Sequence, residues 1–332
     1  MKRHAGKIIR GVLTVGIVAL LIFFARHVNW AETWQSISNA DRWPLVLAGV
    51  ANLISLALKG ARWWIFLRPM GVSSLGLAMR ATVAGAGLNN VLVANSGEAA
   101  RIVFVSRSTH VPSSSVLAAL TMERLFEFIG YFVLLVTAAY LPGVSPSIAR
   151  YRVLAIVGLV LLLGLMGYLL RAGPGARATP RAETHSAAIG AINKVREYLK
   201  HFASSMAGMA TMPRLGAAFG LTMLSWGLQV VCYHATARAA HLPIPLVGSV
   251  CALLAVNIGF LMRATPGNVG IFQLIYALTA ATFGANQDDA VAVAVLLQTL
   301  QVIPVTILGI ALAPEFVFRR RKTPRPGEQP IE

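Results

Sequence analysis

The sequence predicts an all-α membrane protein: a polytopic helical bundle of about eight transmembrane helices, some of them broken or re-entrant. Three observations carry this prediction. Of the 332 residues, 56% are hydrophobic and only 12% charged, and the mean hydropathy is +0.68, far above a soluble domain of this size. Charged residues bracket long uncharged runs, among them 128–149, 215–237, 239–262 and 290–314, most of which reach the roughly 20 residues that cross a bilayer. Two apolar stretches are interrupted by polar groups and glycines, and such breaks are tolerated at membrane depth only where the freed backbone lines protein or water.

The first span is expected over residues 8–25. Lys2, Arg3, Lys7 and Arg10 precede it as in a signal peptide, but no A-x-A-like site follows Phe23, Phe24 and Ala25, so an uncleaved helix is expected. A short outer loop then holds Trp30, Trp34 and Asp41. The second helix, about 43–67, ends with Lys59, Arg62, Trp63, Trp64 and Arg68, which read as a basic and aromatic girdle for the headgroup layer.

The segment 80–107 is the centre of interest. It carries Asn89, Asn90, Asn95, Ser96, Glu98 and Arg101 in otherwise apolar sequence, and hydrocarbon offers none of these groups a partner. They must face a protein interior or a wet cavity. The Asn-Ser-Gly middle predicts a re-entrant hairpin, with a straight span as the alternative. The next helix, about 115–141, places Glu123 and Glu127 four residues apart on one face beside Arg124. This patch and the pair Glu98 and Arg101 are expected to meet inside the bundle. An ion-pair cluster that fixes packing competes there with a role in substrate or proton handling.

A span over 153–170 returns to a Gly, Pro, Ala and Arg-rich linker at 171–184. Ile189, Ile192, Val195, Leu199, Phe202, Met206 and Met209 then recur at spacings of three or four, predicting an amphipathic surface helix. This insert, 171–213, separates two halves of a transmembrane domain covering 1–318; a basic tail, 319–332, follows. In the second half, spans at 214–238 and 245–262 lead to a second break between Asn257 and Gln273 that contains Arg263, Thr265, Pro266, Gly267 and Gly270. Thr265 with Pro266 predicts a helix start whose free N–H groups, with Arg263, suit an anion. The last span begins behind Asp288 and Asp289, with a kink at Pro304. The two breaks echo one another, hinting at an internal repeat, the arrangement that marks a transporter site.

The net charge of +17 raises nucleic-acid binding, but the basic residues are distributed by membrane side. With the N-terminus cytoplasmic, all the lysines and arginines except Arg26, Arg42, Arg124, Arg150, Arg152 and Arg238 fall on the inner side, a positive-inside pattern that also places the C-terminus inside. Membrane lipids, anionic or phosphate-containing, are therefore the expected partners, and nucleic acid is not. Cys232 and Cys251 lie in apolar runs without a metal motif. No H-E-x-x-H, paired Asp cluster or nucleotide-binding loop occurs, so no metal, cofactor or catalytic residue is expected.

Asn89, Asn90, Gly97, Glu98 and Arg101, then Glu123, Arg124 and Glu127, then Pro266, Gly267 and Gly270 occur in an order that resembles a known family. It is the membrane region of lysylphosphatidylglycerol synthases and the stand-alone flippase-like proteins related to it. Three positions depart from the family pattern: Ala94 stands where Pro is usual, Glu127 where Asp is frequent, and Gln273 where Glu is frequent. Gln273 does not titrate, which argues against proton coupling there.

The resemblance implies a bacterial inner-membrane lipid translocator rather than a synthase, since the soluble aminoacyl-transferring domain does not occur in these residues. The expected headgroup contacts are Asn89, Asn90, Glu98, Arg101, Glu123, Arg124, Glu127, Asn257, Arg263, Pro266, Gly267, Gly270 and Gln273. A membrane-embedded transferase acting on a lipid-linked substrate is the alternative, as is an accessory subunit partnering a lipid-synthesis enzyme.

Overall fold

The computed structural model describes residues 30–91, 96–142, 152–172, 202, 204–260 and 268–312. Its helices are α1 (Trp30–Ser38), α2 (Arg42–Leu67), α3 (Leu75–Val91), α4 (Ser96–Thr109), α5 (Ser113–Tyr140), α6 (Arg152–Ala172), α7 (Met212–Ala239), α8 (Leu246–Gly259), α9 (Ile271–Ala281) and α10 (Gln287–Leu312). The fold is an all-α membrane bundle, without strands among the described residues. The helix expected at 8–25 and the basic tail lie outside them.

By length and composition, α2 with the 3-10 turn that extends it, α7 and α10 are long and apolar enough to cross a membrane. Helix α5, 28 residues long, has the length but carries Glu123, Arg124 and Glu127 in its middle. The outer faces are apolar, as hydrocarbon solvent demands: Val153, Leu154, Val160 and Leu161 on α6, and Ile303, Ile307 and Ile310 on α10, are all exposed.

Each predicted break separates two short helices that fold back on one another. Helices α3 and α4 have 17 and 14 residues, and α8 and α9 have 14 and 11. At 1.5 Å per residue these run about 17 to 26 Å, short of the roughly 30 Å hydrocarbon core. In the first hairpin Thr82 meets Arg101, and Asn89 meets Gly97, the descending order of antiparallel partners. Gly97 is required at the turn, because a Cβ there would fall on the Gly85 carbonyl oxygen. In the second hairpin Gly259 lies against Ile271 and Ile275, and Gly248 against Phe283.

Helix α9 starts later than expected. Its N-cap is Gly270, at φ +86°, preceded by Asn268 at φ +54°, so a helix running unbroken from Thr265 is ruled out. The Gly270 N–H donates to Gln273 Oε1 at 2.7 Å, closing the first turn with a side chain three residues on.

The two halves are built alike and pack reciprocally. Helices α2 and α7 cross antiparallel, with Asp41 N–H donating to the Ala239 carbonyl at 2.8 Å at one end. At the crossing the Ser55 and Ser225 hydroxyls are 2.9 Å apart, and each also reaches the other's carbonyl. Each serine lies 13 residues beyond the first residue of its helix. Helix α3 of the first half packs on α10 of the second, as α8 of the second packs on α5 of the first. Before α2, Ser36 of α1 donates to Asp289 at the start of α10 at 2.7 Å. Before α7, Ser205 donates to Ser115 at the start of α5 at 2.9 Å. An axis relating antiparallel helices in this way is that of an inverted repeat.

Of the predicted amphipathic helix only its end is described. Residues 204–209 are helical, and Met206 and Met209 are buried in a core cluster with Phe66 and Val116. That end packs against protein rather than lying on a bilayer. Its earlier residues, 189–201, lie outside the described set.

Candidate functional site

Helices α2, α3, α4, α5, α6, α7, α8 and α10 enclose a cavity of about 980 Å³. Of the expected headgroup contacts, Asn89, Arg101, Glu123, Arg124, Glu127 and Asn257 line it together. Glu98 stands beside them, paired with Arg124.

The close approach of α3 and α4 places the first cation. A Cβ at position 85 would strike Arg101 Cγ and Cδ at 2.6 Å; its absence lets the arginine run beneath α3. There the guanidinium donates to Glu123 at 2.8 Å and to Thr82 Oγ1 at 3.2 Å, and lies 4.0 Å over the Trp63 ring, a desolvated cation–π contact.

From Glu123 the charges form a chain. Arg62 lies 3.9 Å from Glu123, pairs with Glu127 and donates to Thr222 Oγ1 at 2.8 Å. Lys59 lies 3.8 Å from Glu127. Four cations, Lys59, Arg62, Arg101 and Arg124, thus meet three carboxylates, Glu98, Glu123 and Glu127. Among the described residues the cluster holds one more cation than carboxylate, and its partly exposed members are Lys59 and Arg124.

Lys59, Arg62 and Trp63 are corrected by this geometry. They do not form a headgroup girdle: Arg62 and Trp63 are fully buried, and Lys59 lines the cavity. Arg62 turns inward because α5 supplies Glu127 and α7 supplies Thr222, neither of which is visible from α2 alone.

The other expected contacts are placed differently. Asn90 donates to the Val302 carbonyl at 3.4 Å and to Thr306 Oγ1 at 3.1 Å on α10. It joins the two halves beside the point where a Cβ on Gly87 would come within 2.8 Å of Gly309 Cα. Gln273 is buried, caps Gly270 and donates to Gln298, so Gly270 and Gln273 shape the second hairpin and do not line the cavity. Arg263, Pro266 and Gly267 lie outside the described residues.

Two further sets of lining residues complete the site. Asn52, Gln229 and Gln301 form a chain of side-chain amides, whose signal in the sequence is the polar spacing Asn52, Ser55, Lys59, Arg62 on one face of α2. Opposite them lies an apolar wall: Phe128, Phe132 and Leu135 of α5, and Leu154, Val157 and Leu161 of α6. Phe128 is 47% exposed and Leu161 68%, so this wall also reaches the surface that hydrocarbon covers. No group of three or more His, Cys, Asp or Glu among the described residues fits a metal ion.

This is a helical membrane protein with an internal cavity lined by charged side chains and by apolar ones of α5 and α6. The family described as "Lysylphosphatidylglycerol synthase TM region" matches residues 9–309, and the chain belongs to it. Among curated proteins the chain is similar to the glycosyltransferase AglD of Haloferax volcanii, at 25% identity over 330 residues, which is 90% of this chain and 52% of the relative. The chain thus spans about half the length of that relative.

Proposed function

We propose that the chain moves a lipid with an anionic, phosphate-containing headgroup between the leaflets of the cell membrane, with its termini on the cytoplasmic side. One observation carries this reading: a single cavity joins a charge cluster, with one more cation than carboxylate among the described residues, to an apolar wall whose side chains reach the outer surface. A headgroup phosphate is held by Lys59, Arg101 and Arg124, whose charge-assisted hydrogen bonds replace its lost hydration. The acyl chains stay along α5 and α6, outside the polar space. Two half-length hairpins in an inverted repeat let the site face either leaflet by rocking of one half against the other.

The test is leaflet-to-leaflet movement of labelled phosphatidic acid in vesicles containing purified protein, compared with Lys59→Gln. Lys59 is partly exposed and Glu127 keeps Arg62, so the bundle folds without it. The variant is expected to slow movement about tenfold, the effect of losing one charge-assisted contact of about 1.5 kcal/mol. An unchanged rate contradicts the reading.

The similarity to a protein named a glycosyltransferase favours a second reading, in which the cavity presents a lipid-linked acceptor for group transfer. Product formed from a labelled sugar donor by the purified chain would support it.

A further inference from the structure

Below the charge cluster the cavity continues along two polar stripes. On α2, Arg62, Lys59, Ser55 and Asn52 share one face; on α7, Thr222, Ser225 and Gln229 share the face opposite. They pair in antiparallel order, Arg62 with Thr222 at 2.8 Å, Ser55 with Ser225 at 2.9 Å, and Gln229 with Ser55 at 3.0 Å and with Asn52 at 3.3 Å. Gln301 of α10 donates to Gln229 Oε1 at 3.3 Å, and Asn52 donates to the Leu300 carbonyl at 3.3 Å. The stripes are charged at one end and carry only neutral amides and hydroxyls at the other, and Asn52, Ser225, Gln229 and Gln301 line the cavity.

We propose that this neutral end binds the hydroxyls of a sugar-like ring carried on the substrate's phosphate, so that the headgroup is a phosphate-linked polyol. The inference rests on the lipid-transport reading above and names its substrate class. Each carboxamide offers two N–H donors and two lone pairs, and a hydroxyl, both donor and acceptor, matches such groups in either direction. A cationic headgroup finds no carboxylate at this end, because Glu98, Glu123 and Glu127 are all paired with cations at the other. The amide oxygens of Asn52 and Gln229 each accept one bond within the chain of amides and have a second lone pair, which a hydroxyl can use and an alkyl headgroup cannot, and such a difference is how a site discriminates analogues. Lys59 and Asn52 lie seven residues apart on α2, about 10 Å along the axis. A bare phosphate held at Lys59 does not reach the amides, whereas a ring carried on it does.

The experiment compares movement of labelled phosphatidylinositol and phosphatidic acid in vesicles containing the full chain, parent or with Gln229→Leu or Gln301→Leu. Leu removes the amide and keeps most of the volume. The parent is expected to move phosphatidylinositol about tenfold faster than phosphatidic acid, and each variant to bring that ratio close to one. Within a variant the two rates come from one protein sample, so partial misfolding lowers both and leaves the ratio unchanged. A parent that moves both lipids equally, or variants that keep the parent's ratio, would overturn the polyol assignment and leave lipid transport standing. If the parent moves neither lipid, both readings fall.

Discussion

Glu123 is the carboxylate on which cations from two helices converge. It accepts from Arg101 of α4 at 2.8 Å and faces Arg62 of α2 at 3.9 Å, and all three are buried. Removing its charge leaves the buried Arg101 guanidinium without its carboxylate partner, while Arg62 keeps Glu127, so Glu123→Gln is expected to destabilise the protein by about 3–5 kcal/mol. Arg124, whose side chain is 44% exposed, sits in a pair of the weaker, partly solvated kind, and Arg124→Gln is expected to cost about 1 kcal/mol or less. Thermal unfolding in detergent checks this, and equal losses for the two variants would contradict it. The convergence of Glu98, Arg101, Glu123 and Arg124 was legible in the sequence, because a charge within an apolar run has to find another. Arg62 was not. An arginine beside two tryptophans near a helix end has the same local pattern whether it reaches headgroups or turns inward, and only Thr222 and Glu127, far away in the chain, decide which.

The hairpins are set by small residues at their contacts. At Gly97 a Cβ would collide with the backbone oxygen of Gly85, and backbone does not yield as a flexible side chain does. Gly97→Ala is expected to cost about 3 kcal/mol, while Gly164→Ala on α6, with nothing within 4 Å of the added carbon, is expected to leave the unfolding temperature unchanged or slightly raised, since Ala favours a helix interior over Gly. Similar behaviour of the two variants would count against the tight α3 and α4 contact.

The hairpin also fixes sidedness. In a background with Cys232 and Cys251 replaced, single cysteines at Ser74 and Ser108 should react with an impermeant reagent from the same face of the membrane. One at the exposed Gln287, beyond α9, should react from the other. Labelling of the first two from opposite faces would mean that 75–109 spans. The separation of α3 from α4 was legible because polar residues and Gly interrupt an apolar run. The start of α9 was not. Thr265 and Pro266 have the composition of a helix start, yet Gly270, at φ +86°, ends up as the cap of α9. Asn90 and Gln273 likewise had the composition of ligand groups, and their partners on α10 make them structural.

At the scale of the whole molecule, the two halves share one plan, and their reciprocal packing leaves the space that the charged, amide and apolar walls enclose. The echo of the two breaks was the sequence trace of this repeat. The symmetry of α2 and α7 left little trace, since paired serines such as Ser55 and Ser225 are unremarkable until they touch. The cavity's two kinds of wall suit a molecule with a polar head and apolar tails. The direct measurement of that claim is the rate at which a labelled anionic lipid changes leaflet in vesicles containing the purified chain, with and without Ala86→Trp, which fills the cavity from α3. The account predicts movement well above protein-free vesicles that falls close to their rate when the cavity is filled. Movement no faster than in protein-free vesicles, or equally fast with the cavity filled, would contradict it.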